Sequence, residues 1–346
     1  MSLASRRYLL FASKPYSFAI LEPLQRFIQS QSDGQVKWFL ASTARDYAAP
    51  GETLSTTREV IAFDPEAIVV PGNVVPPFWP GLKVQIFHGL DDEVQGFYRI
   101  NGLFDLYCTP GPTTTQRFQK LAHQHRYFLV IETGWPKLDP LAYPQNPQLM
   151  RRELGVDPQR PVLLYAPTFP PKYTSAPDLL PAIKQLTGGP YHWLIKFHPL
   201  LDQEIKEQYR ELCGEFCQVV ADLNILPCMQ AADILITDTS SVAYEFLLLD
   251  RPIITYRAIA RQDKGIDITR PAELAGAIRR SLEQPGELAP IRRDYRDQLH
   301  PYTDGESSHR VIEAIEKVLQ TGLHRQLRRK PLNLVRRLKI RRMVTL

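Results

Sequence analysis

Residues 234–249, ILITDTSSVAYEFLLL, decide the fold class. Four strand-forming residues lead through Asp238, Thr239, Ser240 and Ser241 into an apolar segment that includes Val242, Phe246 and Leu247. A fully apolar run of this length is a strand buried on both faces. The hydroxyl-rich turn after it starts a helix that covers the sheet, which is the repeating unit of a parallel α/β fold.

The same alternation runs outward in both directions. Strand-like runs are expected at 162–166, 193–197, 218–220 and 253–256, with helices at 203–212 and 272–283. Earlier in the chain, strands are expected at 8–12, 36–41, 67–70, 83–87, 103–108 and 127–131. Between the first two, Phe18, Leu21, Leu24, Phe27 and Ile28 recur every three or four residues, so one helical face is apolar. The fold class is α/β, with two doubly wound parallel-sheet domains and a cleft between them.

A chain of 346 residues fits two domains of about 150 residues each. Prolines cluster at Pro136, Pro140, Pro144, Pro147, Pro158 and Pro161, where they stop helices and stiffen a connection. The expected organisation is a first domain over 1–140, a linker over 141–160 and a second domain over 161–304. A closing helix over 305–320 and a basic amphipathic tail over 321–346 follow.

Composition excludes several classes. With 44% hydrophobic and 23% charged residues the chain is neither disordered nor membrane-embedded, and no run approaches the roughly 18 apolar residues of a spanning helix. The apolar run after Arg6 and Arg7 is cut by Lys14 and Pro15, too short for a signal peptide, and reads as a first buried strand. Cys108, Cys213, Cys217 and Cys228 form no CxxC pair, which fits a reducing compartment; Cys213 and Cys217 are expected on one helical face. Phosphate-loop, GxGxxG and HExxH motifs are absent.

In open parallel sheets ligands bind beyond the carboxyl ends of the strands. Four such places carry polar chemistry: His88 with Gly89, Thr168 after 162–166, His198 with Pro199, and Asp238 to Ser241. The helix start at Ser240 and Ser241 suits a diphosphate, since its N–H groups and dipole favour an anion; a simple capping role fits the same residues. Glu245, one helical turn after Ser241, reads either as a ribose contact or as a solvated surface carboxylate. His88 and His198 titrate near neutrality and suit proton transfer or phosphate contact. Asp91, Asp92 and Glu93 read as a solvated face or as a seat for Mg2+ beside phosphates.

These segments together resemble the CDP-glycerol glycerophosphotransferase family of teichoic-acid and capsule synthesis. The resemblance rests on KVQIFHG (83–89), TGWPKLD (133–139), LYAPTF (164–169), IKFHP (195–199), LITDTSS (235–241) with Glu245, and GESSHR (305–310). It implies two Rossmann-like domains of glycosyltransferase-B type, the donor held by the second and the acceptor approached from the first. The implied reaction is transfer of glycerol phosphate from CDP-glycerol to a hydroxyl of a glycan or lipid-linked acceptor, releasing CMP. The implied roles are His88 as general base, His198 on the donor phosphates, Ser240, Ser241 and Arg310 on the diphosphate, Thr168, Lys196 and Asp238 nearby, and Glu245 on the ribose. The chain departs from the family pattern at Leu90, Asp91 and Asp92, and again after Tyr256, where Arg257 and Arg261 replace an acidic-aromatic stretch. CDP-ribitol is the close donor variant. A glycosyltransferase using a CMP- or UDP-activated sugar, and a nucleotide-binding scaffold without turnover, are the competing classes.

The net charge of +5 comes from the tail, because residues 321–346 hold nine Lys or Arg and no acid. There the basic residues interleave with Leu327, Leu332, Leu334, Val335, Leu338, Ile340, Met343 and Leu346, a composition suited to an anionic lipid surface. No aromatic residue follows Tyr302, so nucleic-acid stacking has no support. The expected location is cytoplasmic, peripheral on the inner face of the plasma membrane.

Overall fold

A computed structural model describes residues 6–31, 34–90, 97–142, 146–222 and 224–345. Pro144, Asp91, Asp92, Glu93 and Leu346, named above, lie outside the described residues. The chain forms two compact units, one from Met1–Ala142 with Gln298–Leu346 and one from Tyr143–Asp297.

The first unit is built on β1 (Arg7–Ala12), β2 (Gln35–Leu40), β3 (Thr53–Leu54), β4 (Ala67–Val70), β5 (Leu82–Gln85), β6 (Leu106–Thr109) and β7 (Leu129–Glu132). They pair in parallel in the order β3-β2-β1-β4-β5-β6-β7. The chain runs outward from β1 to β3 and then restarts on the other side of β1, so the switch point lies between β1 and β4. Strands β4, β5 and β6 are buried throughout; β4 is an unbroken apolar run, while β5 buries Lys83 and Gln85 among its apolar residues. Phe11, Phe39 and Trp79 interlock in the core, with ring centroids of Phe39 and Trp79 4.7 Å apart.

The second unit repeats the plan with β8 (Val162–Tyr165), β9 (His192–Ile195), β10 (Cys217–Val219), β11 (Ile234–Thr237), β12 (Ile253–Tyr256) and β13 (Ile266–Ile268). Their order is β10-β9-β8-β11-β12-β13, all parallel, with the switch point between β8 and β11.

Several expectations shift. Residues 141–160 are not a bare linker: the helix Pro147–Glu153 belongs to the second unit, where Arg151 pairs with Asp233 at 2.7 Å and donates to the Ala231 carbonyl at 3.0 Å. The chain returns to the first unit at Gln298 rather than closing the second domain at 304. Its helix Ser307–Thr321 brings Glu316 to Arg6 and to the Tyr8 hydroxyl, which donates at 3.1 Å. Cys213 and Cys217 do not share a helix, since the helix stops at Arg210 and Cys217 opens β10.

The tail also departs from its expected form. It carries a helix over Leu334–Thr345 whose Ile340 and Val344 are buried in the first unit's core, while Leu332, Leu334, Val335 and Leu338 stay exposed. No helix among the described residues is long and apolar enough to cross a membrane.

Candidate functional site

His88 follows β5, and its surroundings come from the strands that flank the first switch point. Its ring stacks on Tyr16, which follows β1, with centroids 5.5 Å apart and planes 25° from parallel. Its ring N–H donates to the carbonyl of Pro71, which follows β4. One ring nitrogen is thereby committed as donor, leaving the other with a lone pair in the neutral form. The ring remains open to solvent at the surface, yet the protein crowding around it lowers its pKa from the ordinary 6.5, with the Pro71 hydrogen bond acting against that shift.

Phe87, just before His88, has φ of +61°, a left-handed conformation unusual for a bulky side chain. The surroundings hold it there: Trp135 Nε1 donates to the Phe87 carbonyl at 3.2 Å, and the ring meets Phe97 and Phe118 at 5.3 and 5.0 Å. Such strain persists only where the fold over-determines it, and here it aims the next side chain.

Trp135 belongs to TGWPKLD, and the rest of that motif fixes the start of the helix Ser307–Thr321. Asp139 accepts the Ser307 and Ser308 N–H groups at 2.9 and 2.8 Å, taking the place of a capping side chain. Burial dominates these bonds and pushes its pKa up to about 6. Gly134 has φ of +79°, and a Cβ there would lie 2.5 Å from the Ser307 hydroxyl, so only glycine fits. Arg310, from GESSHR, pairs with Asp304 and lies over the Tyr302 ring at 4.2 Å. His88 and Arg310 are thus in the first unit.

In the second unit Asp238 is fully buried and acts inward. Its carboxylate accepts the Thr168 N–H at 2.9 Å, the Ser175 N–H at 2.8 Å and the Ser175 hydroxyl at 2.8 Å, although burial still raises its pKa. Asp238, expected among the donor-binding residues, has its oxygens spent on the loop after β8. It ties the loop after β8 to the end of β11 at the switch point.

His198, after β9, stacks on Phe169, after β8, with centroids 4.3 Å apart. Its Nδ1 accepts the Leu200 N–H at 3.1 Å, which puts the proton of the neutral ring on Nε2. Desolvation, then the charges of Lys196 and Lys206, lower its pKa to about 4. A neutral His198 therefore presents an Nε2–H donor at the carboxyl edge. Lys196 is 8% exposed and its pKa is lowered by burial.

Ser240 and Ser241 are half-buried ahead of the short helix Val242–Phe246. The Ser240 hydroxyl accepts the Val242 N–H only at 3.4 Å, and Ser241 makes no side-chain cap. Capping therefore does not consume the Ser241 hydroxyl. Glu245 is 5% exposed, so it is not a solvated surface carboxylate. The sequence missed Tyr16, Pro71 and Ser175 as partners of the site; the rule that ligands lie beyond strand ends points to the first two.

Residues 83–317 match the family model described as CDP-glycerol:poly(glycerophosphate) glycerophosphotransferase. The chain is 26% identical over 242 residues to the teichoic acid glycerol-phosphate primase of Bacillus subtilis (strain 168), covering 66% of this chain and 61% of that protein. It is 25% identical over 250 residues to the teichoic acid glycerol-phosphate transferase of Staphylococcus aureus (strain NCTC 8325 / PS 47), covering 64% and 63%. The chain thus spans about three fifths of the length of these curated relatives. Its fold is similar to the wall teichoic acid polymerase TagF, with a TM-score of 0.71 at 18% identity over 93% of this chain and 91% of that one. It is also similar to UDP-GlcNAc 2-epimerase from Neisseria meningitidis, with a TM-score of 0.60 at 14% identity over 90% and 100%.

Proposed function

Because this chain belongs to the CDP-glycerol:poly(glycerophosphate) glycerophosphotransferase family, we propose that it transfers glycerol phosphate from CDP-glycerol to an acceptor hydroxyl and releases CMP in cell-surface polymer synthesis. The observation that carries this reading is the His88 arrangement: one nitrogen donates to Pro71 and the other is left free, on a ring whose lowered pKa keeps it neutral at pH 7.

In the proposed reaction the acceptor oxygen attacks the β-phosphorus, which carries the glycerol. Its proton passes to the free nitrogen of His88, and the bond from the β-phosphorus to the bridging oxygen breaks, so CMP departs with that oxygen. A positioned base contributes about 10²–10⁴-fold to such a step. The remainder comes from holding the diphosphate and stabilising charge on its equatorial oxygens. His198, through Nε2–H, and Lys196 supply donors for the donor phosphates, with the Ser240 and Ser241 hydroxyls beside them. Thr168 sits on the loop that Asp238 holds, and Glu245 serves the ribose. Arg310 joins the diphosphate by exchanging its partner Asp304.

The acceptor is a glycan or lipid-linked hydroxyl, and the protein works against an anionic membrane surface through its tail. Exposed Leu332, Leu334, Val335 and Leu338 interleaved with Arg336, Arg337 and Lys339 support the second point.

Offering the purified protein CDP-glycerol, CDP-ribitol, a CMP-sugar and UDP-sugars in turn, with membrane extract as acceptor, tests the reading. CMP release with CDP-glycerol is expected. Turnover with a sugar donor alone would replace the reading with a glycosyltransferase.

A further inference from the structure

At the end of the first sheet opposite His88, the residues leading into the strands enclose a cavity of about 560 Å³. Glu66 precedes β4, Lys83 lies at the start of β5 and Asp105 precedes β6; Arg325, Lys330 and Arg337 of the tail line the same space. The tail is anchored there. Lys330 Nζ donates to the Leu103 carbonyl at 2.9 Å and pairs with Asp105 at 2.5 Å, and Asn333 Nδ2 donates to the Asn101 carbonyl at 2.8 Å. Gly102, with φ of +72°, lets Pro331 lie where a Cβ would stand only 2.5 Å from the proline ring.

The charges in this cavity do not cancel. Each carboxylate that lines it already has a cation: Asp64 pairs with Arg7, Glu66 with Arg6 and Asp105 with Lys330. Among the described residues no carboxylate pairs with Arg325 or Arg337. Lys83 is 7% exposed and its ammonium donates to the carbonyls of Trp79 and Gly81, which are neutral. Burial lowers its pKa to about 8, with Asp105 acting against this and Lys330 with it. Lys83 is buried while Arg325 and Arg337 are exposed, so this cavity presents cations without carboxylate partners where an anion arriving from solvent can reach them. The exposed Leu334, Val335 and Leu338 stand on the helix that supplies Arg337.

We propose that this cavity binds the phosphate of an anionic phospholipid headgroup, with Lys83, Arg325 and Arg337 facing the phosphate and Leu334, Val335 and Leu338 meeting the acyl region. The inference rests on the membrane reading above and names the lipid group and its receptor. Because Lys83 and His88 lie toward opposite ends of β5, a lipid held there leaves the reacting residue open to its acceptor.

The test uses the full chain and three probes: inorganic phosphate, monomeric short-chain phosphatidylglycerol, and vesicles of phosphatidylcholine with or without an equal share of phosphatidylglycerol. Saturable binding of the short-chain lipid is expected. Arg325→Gln and Arg337→Gln should each weaken it about tenfold, with CMP release from CDP-glycerol in solution unchanged. Replacing Leu334, Val335 and Leu338 with Ser should reduce vesicle binding yet leave phosphate contact in place. No saturable binding of the short-chain lipid, or equal binding by both Arg variants, overturns the proposal. Inorganic phosphate binding as tightly as the lipid overturns the lipid assignment. Short-chain lipid binding without vesicle binding supports the cavity and overturns the membrane reading alone.

Discussion

The His88 ring lies against Tyr16 at 5.5 Å between centroids, although the two residues follow different strands, β5 and β1. The stack, the Pro71 carbonyl and the strained Phe87 backbone together set where the imidazole points and which nitrogen stays basic.

Tyr16→Ala should therefore change the chemistry of His88. In the folded protein burial holds the pKa of His88 below 6.5, so the neutral, basic ring is lost only as pH falls through that lowered value. Removing the Tyr16 ring that crowds one face of the imidazole should move the acidic limb of kcat/KM upward toward 6.5 and lower its plateau about tenfold. Tyr16→Phe, which keeps the stack, should preserve both. A pH–rate profile of the three proteins decides the matter.

Asp238→Ala should cost stability and donor affinity together. It strands the buried N–H of Ser175, at a cost of about 1–3 kcal/mol when left unsatisfied, removes the part-buried bond from the Thr168 N–H, and frees the loop after β8. Thermal unfolding and calorimetric binding of CDP-glycerol should both register the change. An unaltered melting temperature would contradict the assigned role.

Much of this was open to reading in the sequence, and the rest was hidden for physical reasons. Strands β4, β8 and β11 are buried on both faces, so apolar run and strand coincide. Strands β3 and β13 are two and three residues long, too short for any period to register. His88 and His198 stand out because strand ends are where ligands bind. The inward role of Asp238 depends on Thr168, 70 residues away, a distance that no local spacing encodes. The return of the chain at Gln298 likewise depends on Glu316 meeting Arg6 and Tyr8. In the tail, composition alone could not separate the docked Ile340 and Val344 from the exposed leucines.

Asp139 makes stability depend on pH. Its folded pKa is raised from 3.8 to about 6, so the folded state holds a proton that the unfolded chain has released. This contribution is fully present below pH 3.8 and is lost as pH rises through about 6, a difference of about 3 kcal/mol. Denaturant unfolding across that window should show a falling slope that Asp139→Asn removes.

CMP release from CDP-glycerol by the wild type and by His88→Ala, with donor affinity measured in parallel, tests the central claim most directly. The expected result is turnover reduced about 10²–10⁴-fold in the variant with CDP-glycerol binding unchanged. Turnover that survives the substitution would contradict His88 as the base, and no CMP from the wild type with a competent acceptor would contradict the transferase itself.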